Sequence, residues 1–153
     1  SYLVNNWLFF QTAGVGPVQG QATHFVRFAP EKFEYPLYRY QTEARRLYKV
    51  LDTHLEAKGG GYLVGDRCTI ADIALWPWIV SDFWAGIDRL PFTHLTKWEE
   101  LMMARPGVDK GRHNPDPHTM KELAKDPELQ KSLEQFAGKW VRDLQDANAK
   151  SVA

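Results

Sequence analysis

The sequence predicts an all-α domain, a helical bundle built around a buried central helix with a defined N-cap. Three observations carry this expectation. Apolar residues recur at spacings of three and four along most of the chain, and no segment sustains the alternation of a strand. Cys68 to Trp78 joins a capping box to an almost wholly apolar run. The composition, 44% hydrophobic and 25% charged over 153 residues, suits one domain across 1–153 with a substantial core.

The elements follow in order. Leu3, Val4, Trp7, Leu8 and Phe10 mark a helix from Tyr2 to Thr12. Gly14, Gly16 and Pro17 are expected to interrupt it. A second helix is expected from Val18 to about Ala29, closed by Pro30. Leu37, Tyr40, Ala44, Leu47, Leu51 and Leu55 form the clearest stripe, with Thr42, Arg45, Lys49 and Glu56 opposite. Gly59-Gly60-Gly61 ends that helix, because glycine accepts the left-handed cap conformation.

Thr69 and Asp72 then stand at capping-box spacing, the hydroxyl serving helix amides and the carboxylate reaching back to the amide of Thr69. Cys68 and Ile73 occupy the two positions of a hydrophobic staple. Ile73, Ala74, Leu75, Trp76, Trp78, Ile79 and Val80 place apolar groups on nearly every side, so the helix is expected to be surrounded by others. Pro77 within it predicts a kink. Leu95, Trp98, Leu101 and Met102 mark a further helix ended by Arg105-Pro106. Gly111 to His118 reads as a polar surface loop, and Leu129, Leu133, Phe136, Trp140 and Leu144 as a last amphipathic helix.

Charge and cysteine usage exclude several functions. The 19 basic and 19 acidic residues cancel, which leaves no electrostatic case for nucleic acid or an anionic membrane surface. Asp82 and Asp88 break the best apolar stretch, so no membrane span is expected. A single cysteine excludes an internal disulfide, and no basic leader precedes a cleavage site. The expected location is cytoplasmic. No Cys-x-x-Cys accompanies Cys68, which argues against a nucleophilic role. His113, Asp116 and His118 supply too few ligands for a metal site, and none is expected.

Several motifs resemble a known family. Gly16-Pro17-Val18-Gln19-Gly20-Gln21 with His24-Phe25, and Tyr35-Pro36 with Arg39-Tyr40-Gln41-Thr42-Glu43 and Arg46-Leu47-Tyr48, resemble two consecutive helices of glutathione transferases. The branch is the one holding fungal nitrogen-regulator (prion) proteins and the bacterial disulfide-reducing nu class. Tyr62-Leu63-Val64-Gly65-Asp66 before Thr69-Ile70-Ala71-Asp72 is similar to the loop and capping box of the whole superfamily, and Ala104-Arg105-Pro106-Gly107 extends the match to about residue 113.

The resemblance implies the C-terminal helical domain of such a transferase, with glutathione as co-substrate and no metal. It implies a thioredoxin-like domain ahead of this one, of which this sequence carries nothing, so the chain alone is expected to be weak or inactive. It further implies homodimerisation, a hydrophobic electrophile or disulfide as second substrate, and an apolar face along Phe9 and Phe10 where that domain would lie. Arg39 is the implied glutathione contact, since a guanidinium binds carboxylates through paired hydrogen bonds. The plain alternative for Arg39 is an exposed ion pair with Glu43 one turn on. Phe10, Gln11, Gln19, His24 and Trp76 are the expected lining of the hydrophobic substrate cleft, against the alternative of core packing. Trp76 and Trp78 point about 200° apart on a helix, so only one can face any given neighbour. A non-catalytic docking or dimerisation module is the second functional reading.

Overall fold

The computed structural model describes residues 2–152, with side chains to Lys150. The expected all-α architecture is what it contains, and the described residues include no strand.

The first helix differs from the expectation. Residues α1 (Tyr2–Phe10), a π-helical turn (Gln11–Val15), α2 (Gly16–Thr23) and a second π-helical turn (His24–Phe28) follow one another without a break. Gly14, Gly16 and Pro17 therefore do not interrupt the rod. The Gly16 amide bonds back five residues to the Gln11 carbonyl, and the Ala29 amide likewise to His24. That shift in register lets the chain pass Pro17, which has no amide hydrogen to place. Ala29 then turns extended ahead of Pro30, as the residue before a proline must.

Helix α3 (Glu34–Ala57) buries Ala44, Leu47, Leu51 and Leu55 from the expected stripe, and adds Tyr48 and Asp52. Gly59, Gly60 and Gly61 all take positive φ, and the Gly60 amide closes the helix on the Leu55 carbonyl at 2.8 Å.

Helix α4 (Ile70–Val80) carries the expected capping box, and its chemistry extends past the helix end. Asp72 is fully buried. Its Oδ2 accepts from the Thr69 amide (2.9 Å) and hydroxyl (3.1 Å), while Oδ1 accepts from the Leu63 amide (2.9 Å) and the Trp98 indole (3.0 Å). One carboxylate thus fixes the preceding loop, α4 and α5 (Thr93–Met103) together. The staple is not seen as expected: Cys68 lies 3.9 Å from the Met102 sulfur, whereas Ile73 is 58% exposed. Nor is α4 covered on every side, because Ile70, Ile73 and Pro77 form an outward stripe.

The start of α5 borrows its cap from α3, the Asp52 carboxylate accepting from the amides of His94 (2.8 Å) and Leu95 (3.0 Å). Two short helices, α6 (Pro106–Gly111) and α7 (Met120–Leu123), flank the expected loop, which is irregular from 112 to 119. Helix α8 (Pro127–Val152) lies across the second π-helical turn, with Gly138 on the buried side and Arg27 3.8 Å from Glu134. Its apolar stripe faces away from the bundle: Phe136 is 76% exposed, and Leu129, Leu133, Trp140 and Leu144 are exposed with it. Periodicity gave the helix but not the side that packs.

Candidate functional site

The groove beside Arg39 is built by consecutive turns of α3 against α2. Tyr35, Tyr38, Arg39, Tyr40, Thr42 and Glu43 line it with Val18, around a volume of about 620 Å³. Pro36 in the first turn of α3 is tolerated where amides have no intrahelical acceptor, so the tyrosines enter the groove from a regular helix. The expected alternative of an Arg39–Glu43 pair is not formed. Arg46 holds both oxygens of Glu43, from Nε at 2.8 Å and Nη2 at 2.7 Å. These bonds, ahead of the charges of Arg46 and Arg39, hold the Glu43 carboxyl below its ordinary range. Arg39 is exposed and makes no hydrogen bond or ion pair among the described residues.

The five expected cleft residues take different places. Phe10 is half-buried and packs edge-on against Trp7 at 5.3 Å. Gln11 is buried and accepts from the Thr12 hydroxyl at 3.1 Å. His24 is half-buried and meets Phe25 edge-on. Gln19 is 1% exposed, and both ends of its amide are engaged: Oε1 accepts from the Tyr48 hydroxyl and Nε2 donates to the Trp78 carbonyl, each at 2.7 Å. Its place is behind the wall rather than on it. A side-chain atom added at Gly16 would stand 3.1 Å from the Trp78 ring, so it is Trp78 that packs on α2.

Trp76 lies on the other side of α4, as the 200° separation requires. It lines a separate cavity of about 420 Å³ with Ile73, Pro77, Met102, Arg105 and Val108. The Trp76 indole N–H is buried without a hydrogen-bond partner, and the His118 ring lies 5.6 Å away. Arg105, at the rim of this cavity, donates to the Tyr62 hydroxyl at 2.8 Å.

Cys68 is half-buried, and burial pushes its thiol upward against the opposing pull of Arg105, the reverse of an activated thiolate. His113 stands 3.8 Å from Asp109, while His118 packs on Trp76. The described residues contain no cluster of three or more metal-ligating side chains, and no helix long and apolar enough to cross a membrane.

Sequence reasoning missed a buried charge network. The Arg89 Nε is 3.2 Å from Asp82 Oδ2, its Nη2 is 3.6 Å from Glu99, and the Lys121 ammonium is 3.2 Å from Glu99 Oε1. Two of the contacted oxygens, Asp82 Oδ2 and Glu99 Oε1, are buried without a hydrogen-bond partner. Burial outweighs the pull of Arg89 and raises the Asp82 carboxyl to about 6. In the sequence the one signal of this network is Asp82 at the end of the apolar run.

The architecture is a helical bundle about a capped helix, with an arginine-bearing groove on one flank. Residues 17–106 match the family model described as glutathione S-transferase, C-terminal domain, and the chain belongs to that family. It is similar to the disulfide-bond oxidoreductase YfcG of Escherichia coli, 41% identical over 102 residues that cover 67% of this chain and 46% of that one. A glutathione transferase homolog from Lodderomyces elongisporus, solved with two glutathione molecules per subunit, matches with a TM-score of 0.70 at 41% identity. That match covers 74% of this chain and 54% of the other. The nitrogen regulation fragment of the yeast prion protein Ure2p matches with a TM-score of 0.69 at 39% identity, over 74% of this chain and 54% of the other. The resemblance read from the motifs is thereby borne out. The chain spans about half the length of the curated relatives it matches.

Proposed function

We propose that this chain is the helical half of a cytoplasmic glutathione-dependent enzyme that conjugates electrophiles or reduces disulfides or hydroperoxides. A thioredoxin-like domain completes the site, and Arg39 binds a glutathione carboxylate. The observation that carries this reading is the free guanidinium of Arg39 at a tyrosine-lined groove, its one acidic neighbour on that helix face already taken by Arg46. A planar guanidinium with open donors fits a carboxylate bidentately. Two exposed apolar patches offer surface for such a domain and for a second copy of the chain: Ile70, Ile73 and Pro77 on α4, and Tyr2 and Phe9 on α1. The co-substrate side would be supplied by Phe10, Gln11 and His24 on the first helix, with Gln19 bracing it from behind and Trp76 serving the opposite face of α4.

Relatives solved with glutathione support the ligand class. Calorimetric titration with glutathione and with its disulfide tests the reading, on this chain alone and on the chain preceded by a thioredoxin-like domain. Binding is expected only in the second case, and Arg39→Ala is expected to weaken it about ten-fold, as loss of a charge-assisted bond does. Unchanged affinity in the variant would remove Arg39 from the site. No binding in either form would favour a docking or dimerisation module.

A further inference from the structure

Arg39 and Arg46 flank Glu43 on one face of α3, four residues before it and three residues after it. Both spacings bring side chains together on a helix. Glu43 can therefore be claimed from either side, and the structure records which claim succeeds. Arg46 presents a fork of two donors to the two oxygens and neutralises the carboxylate, which weakens its pull on a second guanidinium. Arg39 stands one turn before Glu43 on the same helix face, and its charge adds to the lowering of that carboxyl. Glu43 also lines the groove in which Arg39 stands, where an uncompensated carboxylate would repel an anionic ligand.

We infer that Arg46 is a positioning residue for the groove: by occupying Glu43 it keeps the Arg39 guanidinium unpaired and cancels the acidic charge beside it. This inference rests on the reading of Arg39 as the carboxylate contact, and gives Glu43 and Arg46 a role in the same site. Arg46 touches no ligand. It acts because removing it hands Glu43 to Arg39, and the guanidinium is then spent within its own helix.

The test has two arms. In the first, the titration of the Glu43 carboxyl is followed by carbon-detected NMR in this chain and in Arg39→Ala, Arg46→Gln and the double variant. Arg39→Ala should leave the titration nearly where it was. Arg46→Gln should leave it still lowered, because Arg39 takes over, and only the double variant should return it to the ordinary glutamate range. A full return in Arg46→Gln alone would overturn the inference, since Arg39 would then not engage Glu43.

In the second arm, glutathione affinity and turnover are measured with the thioredoxin-like domain present. Arg46→Gln should weaken affinity about two-fold, the scale of an i,i+4 pair formed in place of a free arginine, with kcat unchanged. Glu43→Gln/Arg46→Gln should restore it, because no carboxylate remains to capture Arg39. A double variant as weak as the single one would show a structural role for Arg46 and overturn the inference. If Arg39→Ala leaves affinity unchanged while the NMR arm succeeds, the functional reading fails and the competition for Glu43 stands.

Discussion

Replacing Asp72 by Asn tests whether one buried carboxylate organises the whole bundle. The change keeps the shape of the side chain and removes half of its accepting capacity. In the native protein Oδ1 takes the Leu63 amide and the Trp98 indole, and Oδ2 takes the amide and hydroxyl of Thr69. An amide oxygen can retain one of these pairs. The NH2 group must then face donors, and at least one backbone or indole N–H is left buried without an acceptor. Two bonds to a charged acceptor are lost, each worth about 1.5–3 kcal/mol, and the Thr69 hydroxyl can recover part by rotating if the amide nitrogen lies on its side. The expected loss is about 3–5 kcal/mol, a large share of a typical domain's stability. Thr69→Ala removes only the hydroxyl and should cost about 1 kcal/mol. Urea unfolding at pH 7, followed by circular dichroism, measures both through the midpoint and its slope. Asp72→Asn within about 1 kcal/mol of the native protein, or no worse than Thr69→Ala, would refute the account.

Three further substitutions probe the core. Gln19→Leu should cost about 2–4 kcal/mol in the same assay, because the Tyr48 hydroxyl and the Trp78 carbonyl both lose their partner in a buried setting. Gly16→Ala should destabilise by about 1 kcal/mol. Its new carbon would stand 3.1 Å from both the Trp78 ring and the Gln11 amide, and that crowding exceeds the gain in helix propensity. Asp82→Asn should flatten the pH dependence of stability. The folded-state value of about 6 lies above the ordinary 3.8, so the contribution of Asp82 is fully present below the lower value and is lost as pH rises through 6. The shift corresponds to about 3 kcal/mol. The Asn variant should thus gain on the native protein between pH 4 and pH 7.5, and a constant difference across that range would contradict the buried-charge reading.

The parts of the fold legible in the sequence are those fixed by local chemistry or by one-sided burial. The Thr69–Asp72 box depends on groups three residues apart, and the α3 stripe from Ala44 to Leu55 faces a single core, so spacing alone reports both. Asp52 was not legible. It sits on the buried side of α3, and the amides it caps at His94 and Leu95 are supplied by a helix forty residues later. Helix α8 shows the complementary limit. Its stripe of Leu129, Leu133, Phe136, Trp140 and Leu144 is amphipathic by any count, yet the bundle is met on another side, where Glu134 stands by Arg27. Periodicity measures the contrast between faces and says nothing about which one meets a neighbour.

The same limit decides the candidate site. Gly-x-Gly-Pro in the first helix reads as a break, because proline lacks a donor and glycine a side chain. Trp78 reverses that meaning. Its ring packs on Gly16 and near Gly20, in the space those glycines leave open. The Trp78 carbonyl accepts from the Gln19 amide and the Tyr48 hydroxyl donates to its other end, which holds Gln19 in the core. A residue that the motif offers as lining therefore becomes bracing, through a contact made some sixty residues away. Arg39 escapes this reassignment because its competitors, Glu43 and Arg46, lie on its own helix. Their spacing was readable in advance, and only the two short bonds from Arg46 settle which arginine remains open to the groove.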